Sequence, residues 1–325
     1  MCQWLMVGAW VAAAIMGSGT AVAQSPASYP EKPVKMIVPF GAGSATDILA
    51  RIIGDELRVD LGQNFLVDNR AGANGFIAAE AVAKAPADGY TLFVTSSTTQ
   101  SINPGLFKKL PYDPVKDFAP IGGIMQGYFS VVINNDLPVN TLQELIALLR
   151  ADSNKTSYGW GAAVSQISGA ALLKRIGATA TGVPYKSSPQ VILDLIGGRL
   201  TFVVLDVSSA QPHIRANRLK ALAVTSPKRI PEIPAVPTMA EAGLPGFEAS
   251  AFVGMFAPAA TPEPIVRRLG NALQVVLKKP AIAQKLTDCC SATVFSTTPA
   301  EFAEYLRKDK AFLAERIVAA GIEAE

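Results

Sequence analysis

The sequence predicts an α/β protein with two lobes, each a mostly parallel sheet flanked by helices. Strand-like and helix-like segments alternate over most of the 325 residues, which is typical of βαβ units. A second set of alternating segments begins after a proline-containing stretch, and a chain of this length is long enough for two domains. Turns rich in glycine, serine and threonine follow several of the predicted strands.

The first set of segments opens with an apolar strand, VKMIVPF, followed by a glycine turn. A helical pattern, TDILARIIGDELRVDLG, comes next, with Thr46 and Asp47 at its start. The remaining segments of this set are read as a strand, a helix and a strand: FLVDNR, GFIAAEAVAKA and TLFVTSS.

The second set begins after PYDPVKDFAPIGG with the strand YFSVVINN. Thr141 and Glu144 form a capping box at the start of the helix TLQELIALLRAD. Strands and helices then alternate up to a proline-rich connector from Pro227 to Gly246. One more strand and two helices return to the first lobe, so we expect a first lobe of residues 29–128 plus 251–325 and a second lobe of residues 129–250.

Residues 1–23 resemble a secretory signal peptide. The segment carries no charge, is apolar, and ends in Ala21, Val22 and Ala23, which fits an A-x-A cleavage site. An uncleaved N-terminal anchor is the alternative, but the small residues at the end favour cleavage near Ala23. We therefore predict an exported protein.

Composition argues against several classes of protein. The net charge of +3, without a long basic run, gives no footprint for nucleic acid. The lone histidine, His213, leaves little for a metal site or a catalytic triad, and we expect it on a helix surface. Cys289 and Cys290 are adjacent, and we expect them to be unpaired because a bridge between neighbours is strained.

Four turns at predicted strand ends are the candidate ligand contacts: GAGSATD, TSSTTQS, GWGAAVS and YKSSPQ. Ligands of open α/β sheets bind beyond the carboxyl ends of the strands, and helix N-termini favour anions. Serine and threonine before a helix are also ordinary caps, but several such turns together favour a polar ligand. The predicted contacts are Phe40, Gly43, Ser44, Ala45, Thr46, Asp47, Ser96, Ser97, Thr98, Trp160, Gly161, Ala162, Ala163, Val164, Ser165, Lys186 and Asp206.

Four of these side chains have two interpretations. A helix cap outranks ligand contact for Asp47, and a solvated position at the rim outranks a cation for a carboxylate at Lys186. Asp206 ends the apolar run LTFVVLD and is equally suited to a ligand or to the backbone. Trp160 is either a core residue or the floor of a pocket for an apolar or aromatic ligand.

Two nucleotide-binding motifs are incomplete in this sequence. The first turn has Thr46 where G-x-G-x-x-G requires its third glycine, and no G-K-[ST] follows for a P-loop. We therefore expect no cofactor and no metal. A secreted α/β hydrolase that uses a serine of TSSTT is a rival reading, but it lacks a G-x-S-x-G elbow and would need His213 as its base.

Successive blocks of the chain resemble the Bug family, the periplasmic substrate-binding proteins of tripartite tricarboxylate transporters. The blocks run in order over the region after the signal and include YPEKPVKMIVPFGAGSATDILAR, NRAGANGFIAAEAVAKAPADGYTL, VPYKSSPQVILDLIGGRL and LKALAVTSPKRIPEIPAVPTMAEAGLPGFE. The resemblance implies a two-lobed Venus-flytrap fold without catalysis, with the ligand cleft between the lobes. It also implies a small carboxylate ligand held by residues 43–47 and by the second-lobe turn from Trp160 to Ser165.

The chain departs from the family pattern at both turns. Gly41 stands where relatives often have proline, and Trp160 stands where they often have serine in a longer turn. From the resemblance as a whole, we predict a monomeric periplasmic protein that captures a small carboxylate. The ligand could be an aromatic carboxylate or a dicarboxylate. It would deliver the ligand to permease subunits of the transporter or, as an alternative, signal to a membrane receptor.

Overall fold

The structure is a computed structural model that describes residues 28–152, 155–185, 188–290, 293–319 and 321–324. The predicted signal peptide and Lys186 lie outside these ranges, as does the side chain of Cys290. Cys289 is exposed at the end of the ninth helix. No helix within the described ranges combines the length and the apolar character needed to span a membrane.

The elements alternate as expected for an α/β fold. The strands are β1 Val34–Val38, β2 Phe65–Asn69, β3 Thr91–Ser96, β4 Phe118–Asn134, β5 Ser157–Trp160, β6 Thr181–Pro184, β7 Phe202–Asp206, β8 Leu219–Val224, β9 Ser250–Pro258 and β10 Thr293–Val294. The helices are α1 Ala45–Leu61, α2 Phe76–Ala83, α3 Asn103–Leu106, α4 Leu142–Ala151, α5 Ala163–Ile176, α6 Ser188–Ile196, α7 Val207–Arg215, α8 Glu263–Leu277, α9 Pro280–Cys290 and α10 Pro299–Ala319. A 3-10 turn, Ala73–Gly75, precedes α2, and a π-helical segment, Thr98–Ile102, precedes α3.

The described strands form one continuous sheet in the order β2-β1-β3-β9-β4-β7-β5-β6, with β8 and β10 paired to β4. The pairs β1–β2, β1–β3, β5–β6 and β5–β7 are parallel. Every antiparallel pair among these strands involves β4 or β9. The parallel parts therefore lie on either side of an antiparallel centre, and they supply the strand ends of the two lobes.

The long strand β4 runs through both lobes. It pairs with β9 from Phe118 to Tyr128, where Tyr128 lies opposite Ser250, and it pairs with β7 from Phe129 onwards. The change of partner falls at the boundary that we expect between residues 128 and 129. The division into residue ranges stays a prediction, whereas the two-lobed α/β architecture is that of the structure.

The first half of β4 was not expected as a strand. Its glycines and Pro120 lower strand propensity, and irregular pairing with β9 falls at these residues. The glycines are required by packing: a Cβ at Gly123 would collide with Phe295, and one at Gly122 would press on Leu273 and the Thr297 carbonyl. Close approach of neighbouring segments therefore explains the unusual composition.

The last helix, α10, contacts the apolar cores of both lobes. Phe302, in its first turn, is buried in the cluster around Phe252 and Phe256 of β9. Leu313 and Ile317, near its end, are buried in the cluster that holds the core of α4 and α5. The end of α10 therefore packs beside the second lobe, although residues 251–325 were expected to belong to the first.

A buried polar group lies where β4, β9 and α10 meet. Asp309 of α10 is 9% exposed and borders a cavity of 270 Å³ together with Gln126, Ser250 and Tyr305. The Gln126 amide donates to Ser250 Oγ at 3.1 Å and to the Tyr305 hydroxyl at 3.3 Å. Burial raises the pKa of the Asp309 carboxyl to about 6, although the hydroxyls of Ser101 and Tyr305 act in the opposite direction.

We predict that Asp309→Asn changes the pH dependence of stability. The folded state retains the Asp309 proton to higher pH than the unfolded chain, so wild-type stability falls as pH rises from about 4 to about 6. The unfolding free energy of the variant minus that of wild type should therefore rise by about 2–3 kcal/mol between pH 4 and pH 7.

Urea unfolding at a series of pH values measures this difference. Asp55→Asn, which removes an exposed carboxylate of α1, is the matched control. Parallel stability profiles for wild type and Asp309→Asn would contradict the prediction.

Candidate functional site

A cleft of 540 Å³ lies between strand ends of the two lobes. One wall comes from the turn after β1, the segment after β2 and the segment after β3. The other comes from the start of α5 and from Tyr185, and the segment after α10 closes the rim. The lining residues are Pro39, Phe40, Gly41, Ala71, Gly72, Asn74, Gly75, Thr98, Asn103, Leu106, Phe107, Trp160, Gly161, Ala162, Ala163, Gln166, Tyr185, Ile322 and Glu323.

The turn after β1 is held by its own hydrogen bonds. Ser44 caps α1, its Oγ accepting from the Asp47 N–H at 3.3 Å, and the Ser44 N–H donates to the Gly41 carbonyl at 3.1 Å. Gly43 has a φ of 81°, which favours glycine, and its N–H donates to Asp47 Oδ2 at 2.8 Å. The turn therefore uses several of its polar groups internally.

Asp47 anchors this turn. It is 2% exposed, accepts from Asn69 Nδ2 at 2.9 Å, and pairs with Arg51 Nη2 at 2.9 Å. Burial raises the pKa of the Asp47 carboxyl, but hydrogen bonds from Arg51, the Gly43 N–H and Asn69 outweigh it and hold the pKa below its usual range. Arg51 and Asn69 were not singled out from the sequence, although the four-residue spacing of Asp47 and Arg51 on one helix signals such a pair.

Only part of the predicted first-lobe set borders the cleft. Phe40 is in the lining, whereas residues 43–47 are not. Gly43 and Ser44 belong to the turn, and Ala45, Thr46 and Asp47 are the first residues of α1. Gly43 and Ala45 are exposed, whereas Thr46 and Asp47 are buried. Within the described chain, the N–H groups of Ala45 and Thr46 have no hydrogen-bond acceptor.

The segment after β3 contributes Thr98. Ser96 Oγ accepts from the Thr98 N–H at 3.3 Å, so Ser96 supports the start of the π-helical segment. Ser97 is 1% exposed, and its hydroxyl has no hydrogen-bond partner within the described ranges. Single-turn π-helical segments are common at functional sites, and this one turns Thr98 into the cleft lining while burying Ser97.

The start of α5 is the main polar feature of the second wall. Ala162 is the N-cap residue, has extended backbone angles, and offers no side-chain acceptor. The described residues supply no acceptor for the N–H groups of Ala163, Val164 and Ser165. Ala162 and Ala163 border the cleft, whereas the side chains of Val164 and Ser165 are buried. Unpaired N–H groups at a helix start carry partial positive charge, so this wall attracts anions.

Trp160 belongs to the core and to the cleft at once. Its ring lies 5.2 Å from the Tyr158 ring, and it packs so closely over Gly182 that a Cβ there would lie 2.8 Å from the indole. The side chain is half-buried and also borders the cleft beside Gly161. Trp160 therefore packs against core residues on one side and borders the cleft on the other, which are the two positions that the sequence suggested as alternatives.

Of the two remaining predicted contacts, the structure describes Asp206 but not Lys186. Asp206 caps α7: its Oδ1 accepts from the Ser209 N–H at 2.8 Å and from Ser208 Oγ at 2.6 Å, and it is not in the cleft lining. Lys186 is outside the described residues.

His213 is on α7 away from the lining, and burial, followed by the charge of Arg218, lowers its pKa. No group of three metal-ligating side chains occurs in the described ranges.

Several polar lining residues were missed by sequence reasoning. Asn103 donates to the Asn74 carbonyl at 3.0 Å and to the Tyr112 hydroxyl at 3.1 Å, which ties the segments after β2 and β3 together. Tyr185 donates to Asp194 Oδ2 at 2.7 Å, so its ring is held at the second wall. The glycines around Asn74 were a usable turn signal, whereas nothing local in the sequence marks Glu323 as a cleft residue.

This chain is similar to known proteins in both sequence and fold. The model of the family described as "Tripartite tricarboxylate transporter family receptor" matches residues 49–313. Protein BugT of Bordetella pertussis is 35% identical over 298 residues, which cover 90% of this chain and 89% of BugT.

Two solved structures of Rhodopseudomonas palustris proteins are also similar. Rpa4515 with adipate superposes with a TM-score of 0.83 at 32% identity, covering 91% of this chain and all of that one. MatC with bound malate superposes with a TM-score of 0.77 at 31% identity, covering 89% of this chain and all of that one. With the family model matching most of its length, the chain belongs to the receptor family of tripartite tricarboxylate transporters.

Proposed function

We propose that this protein binds a small carboxylate in the cleft by hinge closure and delivers it to the permease subunits of a tripartite tricarboxylate transporter. The observation that carries the proposal is the uncapped start of α5 at the cleft wall. Family membership and the adipate and malate in two similar structures support it.

The geometry suits recognition of a carboxylate by backbone groups. A carboxylate oxygen can accept from N–H groups at the start of α5, where the helix dipole favours negative charge. The opposite wall offers the Thr98 hydroxyl and the glycine-rich segment around Asn74. Within the described lining there is no arginine or lysine, so the helix start is the main attraction for the anion.

We further propose that the protein is exported to the periplasm, with residues 1–23 removed near Ala23, and acts there as a monomer without catalysis or a cofactor. The support is the uncharged apolar start of the sequence and the family, whose members with known roles are binding proteins. Closure would favour the liganded state only by the difference between the affinities of the closed and open forms.

Hinge closure would act on the segments that contact both lobes. These include β4, β9 and α10, and also the stretch from Ile102 to Leu106, whose apolar side chains pack in the second-lobe cluster. The exchange of β4 partners between Tyr128 and Phe129 is the natural place for that change.

We predict that Ala162→Asp weakens carboxylate binding more than Ala162→Asn does. Both side chains are good N-caps and should stabilise the ligand-free protein by about 0.5–1 kcal/mol, but only aspartate adds a negative charge where the ligand carboxylate would bind. Calorimetric titration with adipate, malate, citrate, glutamate and benzoate should give at least about a tenfold larger dissociation constant for Asp than for Asn with each acid that binds wild type.

The two variants have nearly the same shape, so the difference between them isolates charge. Equal affinities in the Asp and Asn variants would place the carboxylate elsewhere. If wild type binds none of the acids in the panel, the proposed ligand class is wrong.

We predict that a flat aromatic carboxylate contacts Trp160 and changes its fluorescence. Trp4 and Trp10 lie in the predicted signal, so Trp160 is the one tryptophan of a chain that lacks residues 1–23. Stacking contributes about 0.5–1.5 kcal/mol, so Trp160→Leu should weaken terephthalate and benzoate binding about 2- to 10-fold and leave citrate and glutamate nearly unchanged.

Trp160→Phe keeps an aromatic face and is the matched control for calorimetry. Equal losses for aromatic and aliphatic acids in Trp160→Leu would reduce the role of Trp160 to packing. Binding of aliphatic acids alone by wild type would eliminate the stacking hypothesis.

A further inference from the structure

The segment after α10 reaches the rim of the cleft and is held there. Gly321, with a φ of 69°, ends the helix: its N–H donates to the Val318 carbonyl at 3.0 Å, and the Ile322 N–H donates to the Ile317 carbonyl at 3.2 Å. This pattern is a helix C-terminal cap, which fixes the direction of the chain leaving the helix.

Packing adds to these hydrogen bonds. Ile317 is 3% exposed, and Gly105 of α3 leaves room for its side chain, since a Cβ there would clash with it. Ile322 packs against the same apolar cluster as Leu106, Trp160 and Ala163, all of which border the cleft. Both walls therefore contact Ile322, the residue that precedes Glu323.

Glu323 brings a negative charge to the rim of the cleft. It is exposed at the rim, and it is the only charged side chain among the described residues that line the cleft. Within the described chain its carboxylate makes no ion pair. An anion held at the start of α5 would thus share the cleft with the negative charge of Glu323.

We propose that Glu323 selects against a second carboxylate, so that the preferred ligand is a carboxylate whose other end is neutral or cationic. This inference rests on the proposed function, because it presupposes that one carboxylate binds at the start of α5. A dianion would gain at the helix start and lose at Glu323 by like-charge repulsion, whereas a protonated amine would gain at both places.

The proposed ligand preference distinguishes this chain from two similar proteins. The similar structures contain adipate and malate, which both carry two carboxylates. This chain would therefore differ from them in ligand preference in spite of the similar fold. One side chain at the rim of the cleft, Glu323, would account for the difference.

Three probes with a similar carbon chain test the inference by calorimetry at low ionic strength: adipate, its monomethyl ester and 6-aminohexanoate. The proteins are wild type, Glu323→Gln and Glu315→Gln, the last removing an exposed carboxylate of α10 that does not line the cleft. Low salt is needed because the charge of an exposed side chain is screened over about 10 Å at 0.1 M.

Wild type should bind the monomethyl ester or 6-aminohexanoate more tightly than adipate. Glu323→Gln should improve adipate binding about 5- to 20-fold relative to the monomethyl ester, and weaken 6-aminohexanoate about 3- to 10-fold. Glu315→Gln should leave these ratios as in wild type, and salt should reduce the effect of Glu323→Gln.

Two failures are distinguishable. If the probes bind and Glu323→Gln leaves the ratio of adipate to monomethyl ester within about twofold of wild type, Glu323 has no role in selection and the inference alone is overturned. If neither the wild type nor any variant binds any of the three probes or the acids used above, the proposed carboxylate function fails, and this inference fails with it.

Discussion

The continuity of β4 is the constraint on which the rest of the structure depends. One strand of 17 residues carries the antiparallel centre of the sheet and exchanges β9 for β7 as it passes from one lobe to the other. The parallel strands on either side therefore present their carboxyl ends to a common space, as open α/β sheets do where ligands bind. Glycines at positions 122 and 123 allow neighbouring segments to approach this strand closely.

The two walls of the cleft differ in how their polar groups are hydrogen-bonded. In the first, the Asp47 carboxylate accepts from the Gly43 N–H, Asn69 and Arg51, and the N–H groups of Ala45 and Thr46, which find no acceptor among the described residues, lie outside the cleft lining. In the second, α5 begins at an alanine, and the described residues offer no acceptor to its first N–H groups. In the proposed complex, the second wall would therefore supply most of the attraction for the carboxylate.

Local patterns in the sequence predicted most of the elements and only part of the site. The predicted cap of α4 is confirmed in one half, since Thr141 Oγ1 accepts from the Glu144 N–H, whereas the Glu144 carboxylate accepts from the N–H of Asn140, one residue before the cap. The first half of β4 escaped prediction because its glycines serve tertiary contacts rather than strand propensity. Glu323 escaped because its place depends on how the end of α10 packs beside α5, which no short pattern encodes.

The missing cap of α5 has a consequence for folding as well as for recognition. The described residues leave the first N–H groups of α5 without an acceptor, and in the proposed complex the carboxylate would accept from them, so ligand binding would also stabilise the helix. A ligand present at about 100 times its dissociation constant adds roughly 2.7 kcal/mol to the stability of the state that binds it. The melting temperature of the protein would then rise with the concentration of its ligand.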